Sequence, residues 1–336
     1  MTTVEAAPER GGFDWRRMLR RHGWTVGVWL LFAAVIVFYA TLIPSFGGFQ
    51  ITSIAKNSLP LVYVAVAQAI IVIAGGIDLG IGAVLVFSSA VSAQLMEGQP
   101  FGTTLLIGVG VVLACAVLNG IVGWIISVSR VPDIVITLAT LFIISGLALL
   151  ILPSPGGGTS EGFRALFTGS TTGSGTNFWP PLAMMILPVA VAAYFMRRTR
   201  SGLSLYATGS DVTAAYLSAV NTMRAKVISY ALGGALAGLG GLAALAITGS
   251  GESRFVTASN FTLRSVAAIV LGGIALTGGV GSVVGAAAAG LVLFTLNPVL
   301  SAMGVDPNTS QVIQGALIVV VMMVAGILEV RRERAA

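Results

Sequence analysis

Residues 58–96 read SLPLVYVAVAQAIIVIAGGIDLGIGAVLVFSSAVSAQLM, two apolar runs joined by Ile73-Ala74-Gly75-Gly76-Ile77-Asp78-Leu79-Gly80-Ile81-Gly82. Each run is long enough to be a helix. The join contains four glycines and the only charge of the stretch, Asp78. A plain lipid-spanning helix needs neither, since a carboxylate at bilayer depth costs about 2.5–3.5 kcal/mol on insertion scales. Glycine permits positive φ and close backbone approach. Non-helical backbone at membrane depth survives only when it is buried in protein or lines a water-filled path. The stretch therefore reads as two packed membrane helices around an interruption.

The rest of the 336-residue chain supports that reading. Apolar residues make up 56% and charged residues 9%, with a mean hydropathy of +0.96. A soluble domain carries about 25% charge, so a water-facing surface, a disordered chain and a coiled coil are all excluded. The expected fold is an all-α polytopic membrane protein. With about 20 apolar residues per crossing, ten helices are expected: Thr25–Ile43, Ser58–Ala74, Gly82–Met96, Thr103–Val128, Ile134–Leu152, Phe178–Met196, Val227–Thr248, Leu263–Leu276, Val280–Leu300 and Thr309–Leu328. The third and eighth are short for a full crossing. Residues 1–23 form a basic N-terminal segment, 24–330 a transmembrane domain and 331–336 a tail. The apolar run after the N-terminal basic residues exceeds a signal peptide's 7–15 residues, so it reads as an uncleaved first helix.

Basic residues set the orientation. With ten spans, one side holds Lys56, Arg164, Arg254 and Arg264, and the termini and remaining connections hold all other lysines and arginines. That asymmetry puts both termini in the cytoplasm. The net charge of +6 is then explained by anchoring to the anionic lipid bilayer, not by nucleic acid.

Other chemistries are poorly supplied. Cys115 and His22 are the only residues of their types, too few for a disulfide or a zinc site of about four ligands. Both lysines, Lys56 and Lys226, follow alanine, so the phosphate-cradling G-x-x-x-x-G-K-[ST] pattern is absent. No nucleophile–base pair or carboxylate dyad stands out, and no catalytic residue is expected. Cofactors are not expected on this chain either; if ATP drives it, another chain binds the nucleotide.

A second glycine cluster, Leu271-Gly272-Gly273-Ile274-Ala275-Leu276-Thr277-Gly278-Gly279-Val280-Gly281-Ser282, lies between helices eight and nine. Paired glycine-interrupted segments in the two halves of a carrier point to its pathway, and helix packing alone is the competing reading. Gly75, Gly76, Asp78, Gly80, Gly82, Gly272, Gly273, Gly278 and Gly279 are thus candidates for the path. The duplication is imperfect, because an inverted five-plus-five repeat would match helices two and three to seven and eight. Asp78 has three open roles: solute contact, proton relay, or capping of the helix that starts near Gly82. Its position at the cytoplasmic end of helix two favours capping or a structural partner. Gln68, Asn119, Thr137 and Thr140, with Ser88, Ser89, Ser145, Asn297 and Gln314, are polar groups in apolar runs and suit interhelical hydrogen bonds. With Phe142 and Phe87 they would also suit an uncharged polyhydroxyl solute.

The long cytoplasmic connection 197–226 carries basic residues at both ends around Thr208-Gly209-Ser210-Asp211-Val212-Thr213-Ala214-Ala215-Tyr216-Leu217-Ser218-Ala219-Val220. Ser210 or Asp211 can cap a short helix, on which Val212, Ala215, Tyr216 and Ala219 would share one face. The absence of lysine and arginine from its core favours docking on a partner over lying on lipid.

These motifs resemble those of the ribose-type monosaccharide permeases of bacterial ABC importers. Gly75–Gly82 is similar to their G-G-I-D-L-S-V-G, and Val131-Pro132-Asp133-Ile134-Val135-Ile136-Thr137-Leu138-Ala139-Thr140 to V-P-x-F-I-A-T-L-G-T. Ala207–Val220 resembles G-G-N-x-x-A-A-x-x-S-G-I, and Ala267–Ser282 resembles A-A-V-V-L-G-G-x-x-L-x-G-G-x-G-S. The resemblance covers about residues 25–330. It implies an inner-membrane permease that pairs with a second permease subunit and is driven by cytosolic ABC ATPase subunits, which hold the ATP and Mg. An extracytoplasmic solute-binding protein would deliver the sugar, meeting the loop Pro153–Asn177 and the short outer loops. Gly209, Ser210, Asp211, Ala214, Ala215, Tyr216 and Ser218 would form the segment that couples to the ATPase. Two departures stand out. Arg264 lies where E-L-D-A-I-A places an acid, and is expected to face outward; Ser210 and Ala219 stand where Gly or Asn and Gly are usual. A branched-chain amino-acid permease is the alternative within the superfamily. An ion-coupled carrier acting alone, with Asp78 as its ion site, is the alternative of a different class, and a membrane-embedded enzyme lacks candidate chemistry.

Overall fold

The computed structural model describes residues 15–169, 177–306, 308–316, 319–320 and 323, and for 15–22 the backbone alone. The described residues form helices α1 (Trp15–Leu42), α2 (Gly48–Ile73), α3 (Ile81–Met96), α4 (Phe101–Ser129), α5 (Asp133–Ile151), α6 (Glu161–Thr168), α7 (Trp179–Arg198), α8 (Arg200–Ser210), α9 (Val212–Leu217), α10 (Thr222–Thr248), α11 (Phe255–Leu271) and α12 (Val283–Ala302). Seven of these are long and apolar enough to cross a membrane. The expected tenth helix, Thr309–Leu328, lies partly outside the described residues, and 308–316 is helical. The expected tail 331–336 and the start of the N-terminal segment also lie outside them.

Burial sorts the helices. The apolar window of α2 is 89% buried and that of α1 only 11%, so α2 is the axis of the bundle and α1 lies at its rim. Helices α10, α11, α12 and α7 pack around α2, and α3 is held among α10, α5 and α11. Side chains cannot provide a water-driven hydrophobic force in lipid, so close packing of small residues carries the association. On α10, Gly234 and Gly238 lie one turn apart and face Cys115 of α4. A Cβ at Gly234 would sit 2.6 Å from the Asn119 Cβ, and one at Gly238 3.0 Å from the Cys115 Cβ. Cys115 is accordingly a buried free thiol in a helix crossing.

Helix boundaries differ from the sequence expectation in instructive ways. Helix α2 begins ten residues earlier than Ser58, stabilised where the Gln50 side chain accepts from the Gly47 N–H at 2.9 Å; Lys56 and Pro60 are thus inside a helix. Helix α11 starts at Phe255, because Glu252 accepts from the backbone N–H groups of Ser253 and Arg254 and pairs with the Arg254 guanidinium at 2.6 Å. Arg264 is therefore in mid-helix and not at the start of the helix. The loop Pro153–Asn177 contains α6, missed in the sequence although Phe163, Leu166 and Phe167 have helical spacing and Ser160 caps it.

The connections segregate to two ends of the bundle. At one end, the Gly251 N–H donates to Gly156 O at 2.8 Å, the Gly158 N–H to Ala93 O at 3.1 Å, and the Arg164 Nε to Ala246 O at 3.0 Å. This last contact places a cation on the C-terminal carbonyls of α10, which favour positive charge. The other end gathers the loops after α2 and α11, the start of α5 and the α8–α9 segment.

Gly234→Val should lower the stability of the detergent-solubilised protein by about 1–3 kcal/mol, the usual cost of overpacking. Gly110→Val is the control, since a Cβ there meets nothing within 4 Å. A thermal unfolding series on both variants checks this.

Candidate functional site

Three chain segments stop their helices in the same way at this second end. After α2, the Gly75 N–H donates to Val72 O (2.9 Å) and the Gly76 N–H to Ile71 O (2.9 Å), with Gly75 at φ +76°. After α11, the Gly273 N–H donates to Val270 O (3.1 Å) and the Ile274 N–H to Ile269 O (3.0 Å), with Gly273 at φ +78°. Both are left-handed caps that satisfy otherwise orphaned carbonyls. After α9, the Ala219 N–H donates to Tyr216 O and the Val220 N–H to Ala215 O, both at 3.0 Å, but the left-handed residue is Ala219 at φ +61°. That is why a glycine is usual there, and why the alanine is strained.

The three segments meet through backbone. The Gly279 N–H donates to Ile73 O at 2.9 Å. Gly209, near the end of α8, fills the remaining space: a Cβ on it would run into the Ile73 carbonyl and come within 2.7 Å of Gly279 N. A Cβ on Gly278 would lie 2.8 Å from Gly209 O and 3.0 Å from the Gly75 Cα. No side chain fits in this joint, so Gly75, Gly209, Gly278 and Gly279 are brought together as one contact.

Asp78 anchors the loop that follows. It is fully buried. Its Oδ1 accepts from the Gly80 N–H at 2.7 Å and its Oδ2 from Asn119 Nδ2 at 2.9 Å, while Asn119 also donates to Tyr230 O at 3.2 Å. Gly80 precedes the first residue of α3, so one carboxylate oxygen satisfies a donor at the head of that helix and the other ties it to α4. Thr262 of α11 accepts from the Gly82 N–H (3.1 Å) and donates to Leu79 O (3.2 Å). Gly82 itself lies where α3 crosses α11, with Ala258 O in the way of any Cβ.

A charged pair closes the arrangement. Lys226 Nζ lies 2.8 Å from Asp133 Oδ2 and 2.9 Å from Oδ1, linking the start of α10 to the start of α5. The Tyr230 hydroxyl sits 3.1 Å from Asp133 Oδ2 and 3.2 Å from Ile77 O, and its one proton serves either acceptor. Thr137 donates to Asp133 O at 2.9 Å. Asp133, Lys226 and Tyr230 did not emerge from the sequence as site residues; the available signal was a charge at the start of each of two apolar helices.

Other candidates are distributed as follows. Thr140 lies beside Gly80 and donates to Ile136 O at 2.9 Å. Gln68 is fully buried in α2, away from the joint, and neither amide atom has a hydrogen-bond partner among the described residues. Phe142 is remote from the joint: it is 60% exposed and stacks on Phe255, the ring centroids 5.3 Å apart. Gly272 packs against Ala286 of α12, and Gly76 lies between Ile71, Tyr230 and Asp133. Among the described residues, no three His, Cys, Asp or Glu side chains gather as metal ligands.

Asp211 caps α9, accepting from the Ala214 N–H at 2.9 Å. The face expected from Val212, Ala215, Tyr216 and Ala219 is not the one presented. Ala215 is turned inward and buried, Ala219 lies beyond the helix end, and Val212, Tyr216 and Leu217 are 57%, 71% and 80% exposed. Ser210, Ala214 and Ser218 are exposed beside them. Arg264, expected to face outward, instead donates from Nη2 to Gln314 Oε1 at 2.6 Å, and the Gln314 amide in turn donates to Asn297 Oδ1.

Helices of this length and apolarity around a buried glycine joint define a multi-pass membrane protein. Residues 50–322 match the family described as branched-chain amino acid transport system / permease component, and the chain belongs to that family. It is 28% identical to the ribose import permease protein RbsC of Bacillus subtilis (strain 168), over 96% of this chain and 98% of that protein. It is 28% identical to the autoinducer 2 import system permease protein LsrD of Photorhabdus temperata, over 90% and 91% of the two chains. With the fructose import permease protein FrcC of Rhizobium meliloti it shares 30% identity, over 83% and 78%. No solved structure matches the chain.

Removing the Lys226–Asp133 pair should reveal a coupling of about 1–2 kcal/mol, within the range for contacting residues. A double-mutant cycle of Lys226→Met and Asp133→Asn, read by unfolding in detergent, measures it. Ala219→Gly should stabilise the protein by about 1 kcal/mol, because a left-handed alanine carries a penalty of roughly 1–2 kcal/mol that glycine lacks.

Proposed function

We propose that this chain is the membrane-spanning permease subunit of an ATP-driven importer, forming the path for a monosaccharide or similar polar solute delivered by an extracytoplasmic binding protein. Hydrolysis takes place on a partner ATPase that holds the ATP and Mg, and a second permease subunit completes the path. The ten-span topology, with both termini and the glycine joint on the cytoplasmic side, follows from the distribution of lysine and arginine. The named relatives import ribose, fructose and autoinducer 2, which favours a sugar-like solute over a branched-chain amino acid.

The observation that carries this reading is the exposed apolar tip of α9 immediately behind the joint. Val212, Tyr216 and Leu217 present a short apolar face in a segment whose neighbouring Gly209 is wedged against Ile73 and Gly279. An ATPase gripping that tip would displace Gly209, and the backbone contacts would pass the movement to the loops after α2 and α11. Because Gly75, Gly209, Gly278 and Gly279 meet there with no side chain of their own, the movement is passed mainly from backbone to backbone. A lone ion-coupled carrier using Asp78 is disfavoured, since both carboxylate oxygens are committed to Gly80 and Asn119 and the group is enclosed.

Tyr216→Ser with Leu217→Asp should abolish co-purification of the ATPase and reduce ATP-dependent uptake at least about tenfold, with membrane insertion unchanged. Unaltered co-purification would remove the docking role. Vesicles containing this chain alone should accumulate nothing, and ion-driven uptake by them would overturn the proposal.

A further inference from the structure

Arg264 is the only charged residue of α11, and it lies at the tenth position of seventeen, in the middle of the helix. A cation at that depth faces a cavity or a counter-charge. The partner it has is neutral: the Gln314 amide oxygen at 2.6 Å, itself held by Asn297. No carboxylate among the described residues pairs with it. A guanidinium offers five donors in a planar fork, and the Gln314 contact occupies one nitrogen only. One helical turn before it, Asn260 is exposed on the same face of α11, since residues four apart are neighbours on a helix surface. That face is flanked by the exposed Val256 and Leu263. Thr262, on the opposite side, is engaged with Leu79 and Gly82, so α11 divides its roles: one side holds the glycine loop, the other presents amides and a cation at membrane depth.

We propose that Arg264, with Asn260 and Gln314, forms a selectivity site for an anionic monosaccharide, one bearing a carboxylate or a phosphate. The inference rests on the permease reading above and names the solute class for it. The guanidinium fork matches either anionic group bidentately, and the neighbouring amides supply donors and acceptors for hydroxyls. In the resembling segment E-L-D-A-I-A the same position carries an acid, which would repel such a solute and suit a neutral one. In the unloaded protein the Gln314 amide holds the guanidinium, and an anion displaces it because a charged acceptor is the stronger partner.

The test uses the complete importer, this chain with its ATPase and receptor, in ATP-loaded vesicles. Uptake of ribose, fructose, gluconate, glucuronate and ribose 5-phosphate is compared. Uptake of an anionic probe should exceed that of the neutral sugars, and whether gluconate and glucuronate or ribose 5-phosphate is taken separates carboxylate from phosphate. Arg264→Gln should reduce anion uptake at least about tenfold, with Arg264→Lys retaining about a third of it. Assembly of the complex and its basal ATPase rate, measured on each variant, separate this effect from misfolding. ATP-dependent uptake of ribose or fructose alone, unaffected by Arg264→Gln, overturns this inference and leaves the permease reading standing. ATP-dependent uptake of none of the five overturns both.

Discussion

The structure depends on a contact made chiefly by backbone. Where the loops after α2 and α11 meet α8, the Gly279 N–H donates to Ile73 O, and Gly75, Gly209 and Gly278 pack backbone against backbone. Each backbone group removed from water in this region needs a partner, and side chains would hold the segments too far apart to provide one. Everything nearby follows from that closeness. The left-handed caps at Gly75 and Gly273 turn the chain back at the required point, and Asp78 and Thr262 pin the short loop that leads into α3.

Around the joint, polar groups are arranged so that charge is consumed locally. Asp78 is taken up by Gly80 and Asn119, Asp133 by Lys226 and Tyr230. Buried ionic groups are weak sources of net stability but costly to leave half-paired, so such a network fixes one arrangement of α4, α5 and α10 relative to the loop. Arg264 is the contrast. Among the described residues its hydrogen-bond partner is one neutral amide, that of Gln314, which leaves most of the guanidinium's donors available.

Much of this was legible in the chain. Hydropathy marked every long helix, because transfer energies accumulate over about 20 residues and tolerate boundary errors. Glycine pairs marked the helix stops after α2 and α11, and Asp211 marked the cap of α9, since these are properties of a few adjacent φ/ψ angles. The misreadings were local as well. The Glu252 cap begins α11 eight residues earlier than apolar content suggests, which moved Arg264 from the start of the helix to its middle. On α9, Ala215 packs inward while Val212 and Tyr216 stay exposed, a division that spacing along the helix does not reveal.

By itself, then, the sequence determined the membrane class, the seven long apolar helices, the interruptions and the residues able to make them. These depend on composition and on neighbours along the chain. Tertiary structure alone decided that the interruptions touch through Gly209, that Lys226 finds Asp133 from 93 residues away, and that Arg264 meets Gln314. Such pairings are set by how whole helix surfaces of small residues pack at once, and no local periodicity encodes which surface meets which.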